Sequence, residues 1–246
     1  QAVAAARAGA HVQFVGAVGD DSAADRLLAH LRDAGVGLDG IVRVPGPSGT
    51  AVIVVDALAE NSIVVAPGAN AALSVPPGVV AACDVLLTQL EIPVATALAA
   101  ARQAHAAGAV VMINISPAGR DLSALAESGV VDVVIANERE ADEWSWQVPP
   151  FVVTRGARGV HYVGVDGEFE VAATAVAAVD TTGAGDVFAG VLAANWPRRP
   201  GTSAQRLHAL QRACAAGALA TLVRGAGDCA PRAAAIEAAV DRKSVV

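Results

Sequence analysis

The segment Asp180-Thr181-Thr182-Gly183-Ala184-Gly185-Asp186 sets two carboxylates, two hydroxyls and a small-residue turn directly before an apolar run, Val187–Asn195. Small residues let backbone N–H groups converge on one point, and a helix start adds unsatisfied donors with a partial positive charge. Together they make a seat for an anion, able to stabilise charge developing on a transferred phosphoryl group without a lysine. Asp186 falls at the rim of that seat, where a carboxylate can accept a proton from an attacking hydroxyl. The same four letters also describe an Asp N-cap after a glycine turn. Gly-Ala-Gly-Asp recurs at Gly225–Asp228, where Cys-Ala-Pro follows and a loop is expected. The tetrapeptide alone leaves both readings open.

Other phosphate chemistries are excluded by what the chain lacks. The one lysine is Lys243, in no glycine-rich context, so a Walker A loop and the kinase set built on a strand lysine both fail. A dinucleotide fingerprint, zinc-ligand spacings and a Gly-x-Ser-x-Gly elbow are also missing. A net charge of −7 argues against nucleic acid as the main partner. Apolar residues make up 54% of the chain and aromatics 3%, and much of the apolar share is alanine, which suits closely packed helices. No uncharged apolar run reaches the roughly eighteen residues of a membrane span. Cys83, Cys214 and Cys229 are far apart and form no CxxC pair, so a reduced, cytoplasmic setting is expected.

The elements that must position these groups alternate between strand and helix. His11–Val18 reads as a strand and Ser22–Ala34 as a helix that Ser22 could cap. Gly46–Gly49 marks a turn, and Thr50–Asp56 with Ser62–Val65 reads as a hairpin. Val85–Gln89 is a strand leading to Leu90-Glu91, and Pro93 opens the helix Val94–Ala107. Ala109–Ile115, Val130–Ala136 and Val152–Thr154 are further strands. The Asp166-Gly167 turn joins His161–Val165 to Glu168–Val171. The last third is helical, over Val187–Asn195, Ala204–Val223 and Ala233–Asp241. This order predicts one α/β domain over 1–246 with a mainly parallel sheet covered on both faces. Ligands bind beyond the carboxyl ends of such strands, so Glu91, Asn137, Thr154 and Asp180, all at predicted strand ends, are candidates for one site.

The flanks carry a resemblance. Asp180–Asp186 resembles the Asp-Thr-x-Gly-Ala-Gly-Asp signature of the ribokinase-like (PfkB) carbohydrate kinases. Gly16–Asp21, Gly68–Asn70, Gln89–Glu91, Asn137–Glu140 and Thr154–Gly159 resemble further pieces of that family in the expected order. The resemblance implies a three-layer αβα sandwich with a small β lid, part of it over approximately 43–66. It implies an ATP-dependent sugar kinase, with D-ribose as the first substrate expected and another sugar or a nucleoside as the alternative. Asp186 would activate the sugar hydroxyl, and Gly183, Ala184 and Gly185 would supply the anion hole. Glu91 would bind the sugar. Asn137 and Glu140 would organise Mg–ATP; Thr154, Arg155, Gly156, Ala157, Arg158 and Gly159 would line the nucleotide, with Gly185 and Cys214 beside it.

The resemblance further implies a monovalent cation, K+, among Asp180, Thr182, Ala220, Val223, Gly225 and Cys229, the last standing where the family often carries serine. The second Gly-Ala-Gly-Asp would then be part of a cation loop. A homodimer through the lid follows from the same comparison, with no membrane or nucleic-acid partner. Gln1–Arg7 resembles the helix that follows the family's sugar loop, so an N-terminal strand and that loop are expected to be absent from this sequence. Without them a nucleotide-binding but inactive form is the competing expectation. Simpler readings stand beside these: Glu91 as a first-turn helix acid, Asn137 with Glu140 as a capping box, Cys214 as a small core residue. Trp144 and Trp146 read as surface packing, and none of the five histidines is assigned a ligand role.

Overall fold

The computed structural model describes residues 1–55, 61–142, 144 and 150–243. The expectations for Trp146, for Val148-Pro149 and for most of the hairpin tip lie outside those residues. In chain order the first elements are α1 (Ala2–Arg7), β1 (Gln13–Val18), α2 (Ser22–Asp33), β2 (Gly37–Arg43), β3 (Thr50–Val55) and β4 (Asn61–Ala66). There follow β5 (Val85–Thr88), α3 (Val94–Ala106), β6 (Val110–Asn114), α4 (Ser123–Ala126), β7 (Val133–Asn137), α5 (Glu138–Asp142) and β8 (Phe151–Thr154). The chain then forms β9 (Val160–Gly164), β10 (Gly167–Val171), α6 (Ala184–Asn195), α7 (Ser203–Ala220) and α8 (Ala233–Lys243).

The central sheet has the order β10-β9-β8-β7-β6-β5. Its β5–β8 half is parallel, and β9 and β10 complete it as an antiparallel hairpin. The apolar runs of β6 and β7 are explained by burial on both faces. Alternate side chains go to opposite layers. Val110, Met112, Val133 and Ile135 pack with residues of α1, α6, α7 and α8. Val111, Ile113, Val134 and Ala136 pack with residues of α3 and α4. The result is the three-layer αβα sandwich expected from the sequence.

Two smaller units stand apart from this sheet. β3 and β4 pair antiparallel as expected, with Val52 opposite Val64, and both are more than half exposed. β1 pairs in parallel with β2, which the sequence reading missed. Gly37-Leu38-Asp39-Gly40 is poor strand material by propensity; the pairing with β1 overrides it. Two weak glycine motifs meet here, because Ala17 packs on Ala69 and Leu73. A Cβ on Gly19 would stand 2.3 Å from the Gly46 carbonyl oxygen, so this turn requires glycine.

The cap of α2 is Asp21, not Ser22. Its Oδ1 accepts from the Ala24 N–H at 2.8 Å, and the carboxylate also accepts from the Ser48 N–H and hydroxyl. Those bonds, the Ser48 amide first, hold the Asp21 carboxyl below the usual range. α7 begins at Ser203 with a capping box between Thr202 and Gln205.

Candidate active site

Three adjacent parallel strands end in polar residues: Asn114 on β6, Asn137 on β7 and Thr154 on β8. Asn137 and Thr154 are direct register partners. Beyond these ends lies a cavity of about 140 Å3, lined by Asn114, Ser116, Asn137, Glu140, Thr154, Gly183, Gly185 and Asp186 with Ile135 and Ala136. Its volume is well below the ~300–1,000 Å3 of a whole-ligand pocket. A smaller cavity on the other side of Glu140 is lined by Ile115, Pro117, Leu122 and Trp144 among others. Trp144 itself stacks with Phe151.

The glycine turn is built more tightly than the sequence suggested. α6 starts at Ala184, three residues earlier than predicted, so Gly183 and not Asp186 occupies the N-cap position, at φ +80. Only glycine adopts that left-handed backbone routinely. Asp186 is the third residue of the helix, where a carboxylate is favoured by the dipole. The Ala184 N–H donates to the Thr181 carbonyl at 3.2 Å. Ala184 is therefore not an open donor, and the first-turn amides of Gly185 and Asp186 are those left to meet an anion. One Asp186 oxygen accepts from the Gln1 side-chain amide at 2.9 Å, and the other has no hydrogen-bond partner among the described residues.

Asn137 and Glu140 form the capping box outright: Glu140 accepts from the Asn137 N–H and Asn137 accepts from the Glu140 N–H, both at 2.8 Å. This does not exclude them from a site, since both line the cavity and the buried Glu140 keeps an oxygen outside the reciprocal pair. Two carboxylates, Glu140 and Asp186, thus face a cavity whose lining contains no lysine or arginine. Such a hard, anionic oxygen set suits a hydrated divalent cation more than bare phosphates. Among the described residues no group of three His, Cys, Asp or Glu side chains could hold a metal alone.

The remaining candidates are spread around this centre. Arg155 pairs with Glu170 and Arg158 with Glu138, flanking the 3-10 turn Gly156–Arg158. A Cβ on Gly159 would meet the Val171 carbonyl oxygen at 2.0 Å. Cys214 is buried on α7, and Glu91 is exposed after β5 and does not line the cavity. Asp180 is not at a strand end; it lies in the segment between β10 and α6. Its carboxylate accepts from the Thr182 and Gly225 N–H groups, at 2.9 and 2.8 Å. Beside it Ala220 is buried at the end of α7, Val223 is exposed, and Cys229 is buried with Sγ toward the Thr182 and Ala226 carbonyls. Asn114, Ser116 and Gln1 were not singled out from the sequence; a polar residue ending a wholly apolar strand was the available signal for Asn114.

The Gly225 amide, then the Thr182 amide, pulls the Asp180 carboxyl from 3.8 down to about 2. A depressed carboxylate stabilises the fold fully above its unfolded value and loses that contribution as pH falls through the folded one. The Tm difference between wild type and Asp180→Asn is therefore expected to be constant above about pH 5 and to shrink progressively as pH drops through 3.8 toward about 2. A difference that does not change with pH across this range would remove the assignment.

The model of the pfkB family carbohydrate kinases matches residues 1–233. A ribokinase of Schizosaccharomyces pombe is 31% identical, over 77% of this chain and 70% of that protein. A deoxyribokinase of Salmonella typhi is 32% identical, over 78% and 71%. The structure of Arabidopsis thaliana ribokinase complexed with ribose and ATP superposes with a TM-score of 0.84 at 25% identity, covering 97% of this chain and 85% of that one.

Proposed function

We propose that this chain, which belongs to the PfkB family of carbohydrate kinases and is an ATP-dependent phosphotransferase to an alcohol group, is a ribokinase making ribose 5-phosphate from D-ribose. The observation that carries the reading is the placement of one free Asp186 oxygen beside the first-turn amides of α6, in the cavity shared with Asn137, Glu140 and Thr154. The primary hydroxyl of the sugar attacks the terminal phosphorus of ATP in line. Its proton passes to Asp186, the new O–P bond forms as the bond to the bridging oxygen breaks, and ADP leaves. The amides of Gly185 and Asp186, in the turn set by Gly183, stabilise the charge on the transferred group. Asn137 and Glu140, with Asn114 and Ser116 on the same wall, would hold hydrated Mg2+, which offsets phosphate charge when bound. Thr154 and the turn through Gly159 border the nucleotide, Cys214 lies behind it, and Glu91 reaches the sugar from the β5 side.

The reading includes a K+ ion among the carbonyls around Asp180, Thr182, Ala220, Val223, Gly225 and Cys229. It also includes a homodimer through the β3–β4 hairpin, whose exposed Val52 and Val64 form an apolar strip that pairing would cover. The deoxyribokinase relative favours a second reading, 2-deoxyribose as substrate. One experiment tests the set: ribose, 2-deoxyribose, fructose and a nucleoside assayed with Mg–ATP, with and without potassium, on protein whose solution mass is known. Highest kcat/KM on ribose, faster with potassium and at dimer mass, is expected. Preference for another sugar overturns the substrate, potassium-independent rates remove the cation, and a monomer mass removes the dimer.

A further inference from the structure

The loop Gly225–Ala230 walls the back of the Gly183 turn. Ala226 and the Cys229 Sγ lie against Gly183, within 2.9 and 3.2 Å of where a Cβ would stand. Residues 222–228 are exposed, and Gly225 takes φ +82, so apolar packing does little to hold this stretch. Polar ties hold it instead. Asp180 takes the Gly225 amide, and His30 of α2 bonds the Gly227 carbonyl at 3.0 Å. Arg7, in the last turn of α1, makes three bonds: Nη1 to the Asp228 and Ala230 carbonyls at 3.1 and 2.9 Å, and Nη2 to the Asp228 carboxylate at 3.0 Å. The two carbonyls bracket Cys229, so one guanidinium grips the backbone on both sides of the residue that touches the turn.

α1 is a firm base for that grip. It crosses α6 so closely that a Cβ on Gly190 would stand 2.2 Å from the Gln1 carbonyl oxygen and 3.0 Å from the Ala4 Cβ. Ala4 is 1% exposed in the core. The helix that carries Asp186 therefore also locates α1, and Arg7 returns the constraint to the wall behind Gly183. The planar fork of arginine can serve two carbonyls and a carboxylate at once; an ammonium cannot reproduce that geometry.

We infer that Arg7 is a positioning residue, which seats the Gly225–Ala230 loop against the Gly183 turn and thereby sets both the order of the anion seat and the strength of monovalent-cation binding. The cation half rests on the potassium site proposed above; the anion-seat half does not. Arg7 touches no group placed in the reaction, so its effect runs through the loop.

The test is Arg7→Ala and Arg7→Lys in the full chain, read by hydrogen exchange and by potassium titration of the rate. Exchange at the hydrogen-bonded amides of Gly225, Thr182 and Ala184 is expected to rise about tenfold or more in Arg7→Ala, as for loss of charge-assisted bonds. The potassium concentration for half-maximal rate is expected to rise similarly, with KM for the sugar unchanged and Arg7→Lys intermediate. Folded Arg7→Ala with wild-type exchange at these amides overturns the inference. If the wild-type rate ignores potassium, the cation site fails and exchange alone decides the positioning role. Should Arg7→Ala fail to fold, Arg7→Lys carries the same exchange test, and His30→Ala loosens the loop from α2; wild-type exchange in both overturns the inference.

Discussion

Asp186→Asn is expected to lower kcat by about 10² or more, the usual cost of losing a general base, with KM for ATP unchanged or reduced. The substitution is nearly isosteric, and the Asn side-chain oxygen can still accept from the Gln1 amide. What changes is the capacity to take a proton and one negative charge in a cavity that also holds Glu140. Removing that charge lessens repulsion of the nucleotide phosphates, so a fall in kcat with KM for ATP unchanged or reduced separates a proton-transfer defect from a binding defect. The competing role, a first-turn acid favoured by the helix dipole, is worth only ~0.3–1 kcal/mol of stability and would appear in Tm. Steady-state kinetics on the preferred sugar beside a melting curve distinguishes the two. Turnover near wild type with a lowered Tm would make Asp186 a helix residue and end the catalytic assignment.

The legible parts of this protein are those governed by local chemistry. The runs Val110–Ile113 and Val133–Ala136 are apolar, unbroken and rich in β-branched residues, so strands buried on both faces followed from composition. The Asn-x-x-Glu spacing fixed a reciprocal bond between Asn137 and Glu140 whatever its use. The misreadings come where a partner distant in sequence decides. β2 exists because β1 offers an edge, despite two glycines and an aspartate in its first four residues. Asp21 outcompetes Ser22 as a cap because Ser48 fixes its carboxylate from across the hairpin base. Asp180 reads locally as a strand end, yet its partners are the Thr182 amide and the Gly225 amide, forty-five residues on. Gln1 meets Asp186 across 185 positions, and no local pattern encodes such a contact. The duplicate Gly-Ala-Gly-Asp is the clearest instance: equal letters give a helix start at Gly183 and, at Gly225, the loop packed behind it.

That asymmetry makes the second large prediction. Gly183→Ala is expected to cost ~1–3 kcal/mol of stability and to depress turnover well beyond what the lost stability explains. The residue sits at φ +80, where a side chain alone carries a penalty of ~1–2 kcal/mol. Its new Cβ would lie 2.9 Å from the Ala226 Cβ, closer than real Cβ atoms approach, and a tight 3.0 Å from the Ala226 Cα. Relief by moving the loop is resisted by the Asp180–Gly225 bond and by Arg7. Relief by moving the turn displaces the Gly185 and Asp186 amides on which an anion would sit, so the strain is delivered to the site either way. The matched control is Gly227→Ala, at the corresponding position of the second copy plus two: its Cβ meets nothing within 4 Å and its φ is not in the left-handed range. Gly185→Ala also enters open space, and inside a helix it is expected to hold or raise stability by up to ~1 kcal/mol. Reduced turnover in a stable Gly185→Ala would therefore report crowding of a bound phosphoryl group and not damage to the fold. Melting temperature and kcat measured on the three variants together decide the point: equal behaviour of Gly183→Ala and Gly227→Ala would mean that the turn before α6 has no special demand for glycine, and the anion seat built on it would fall.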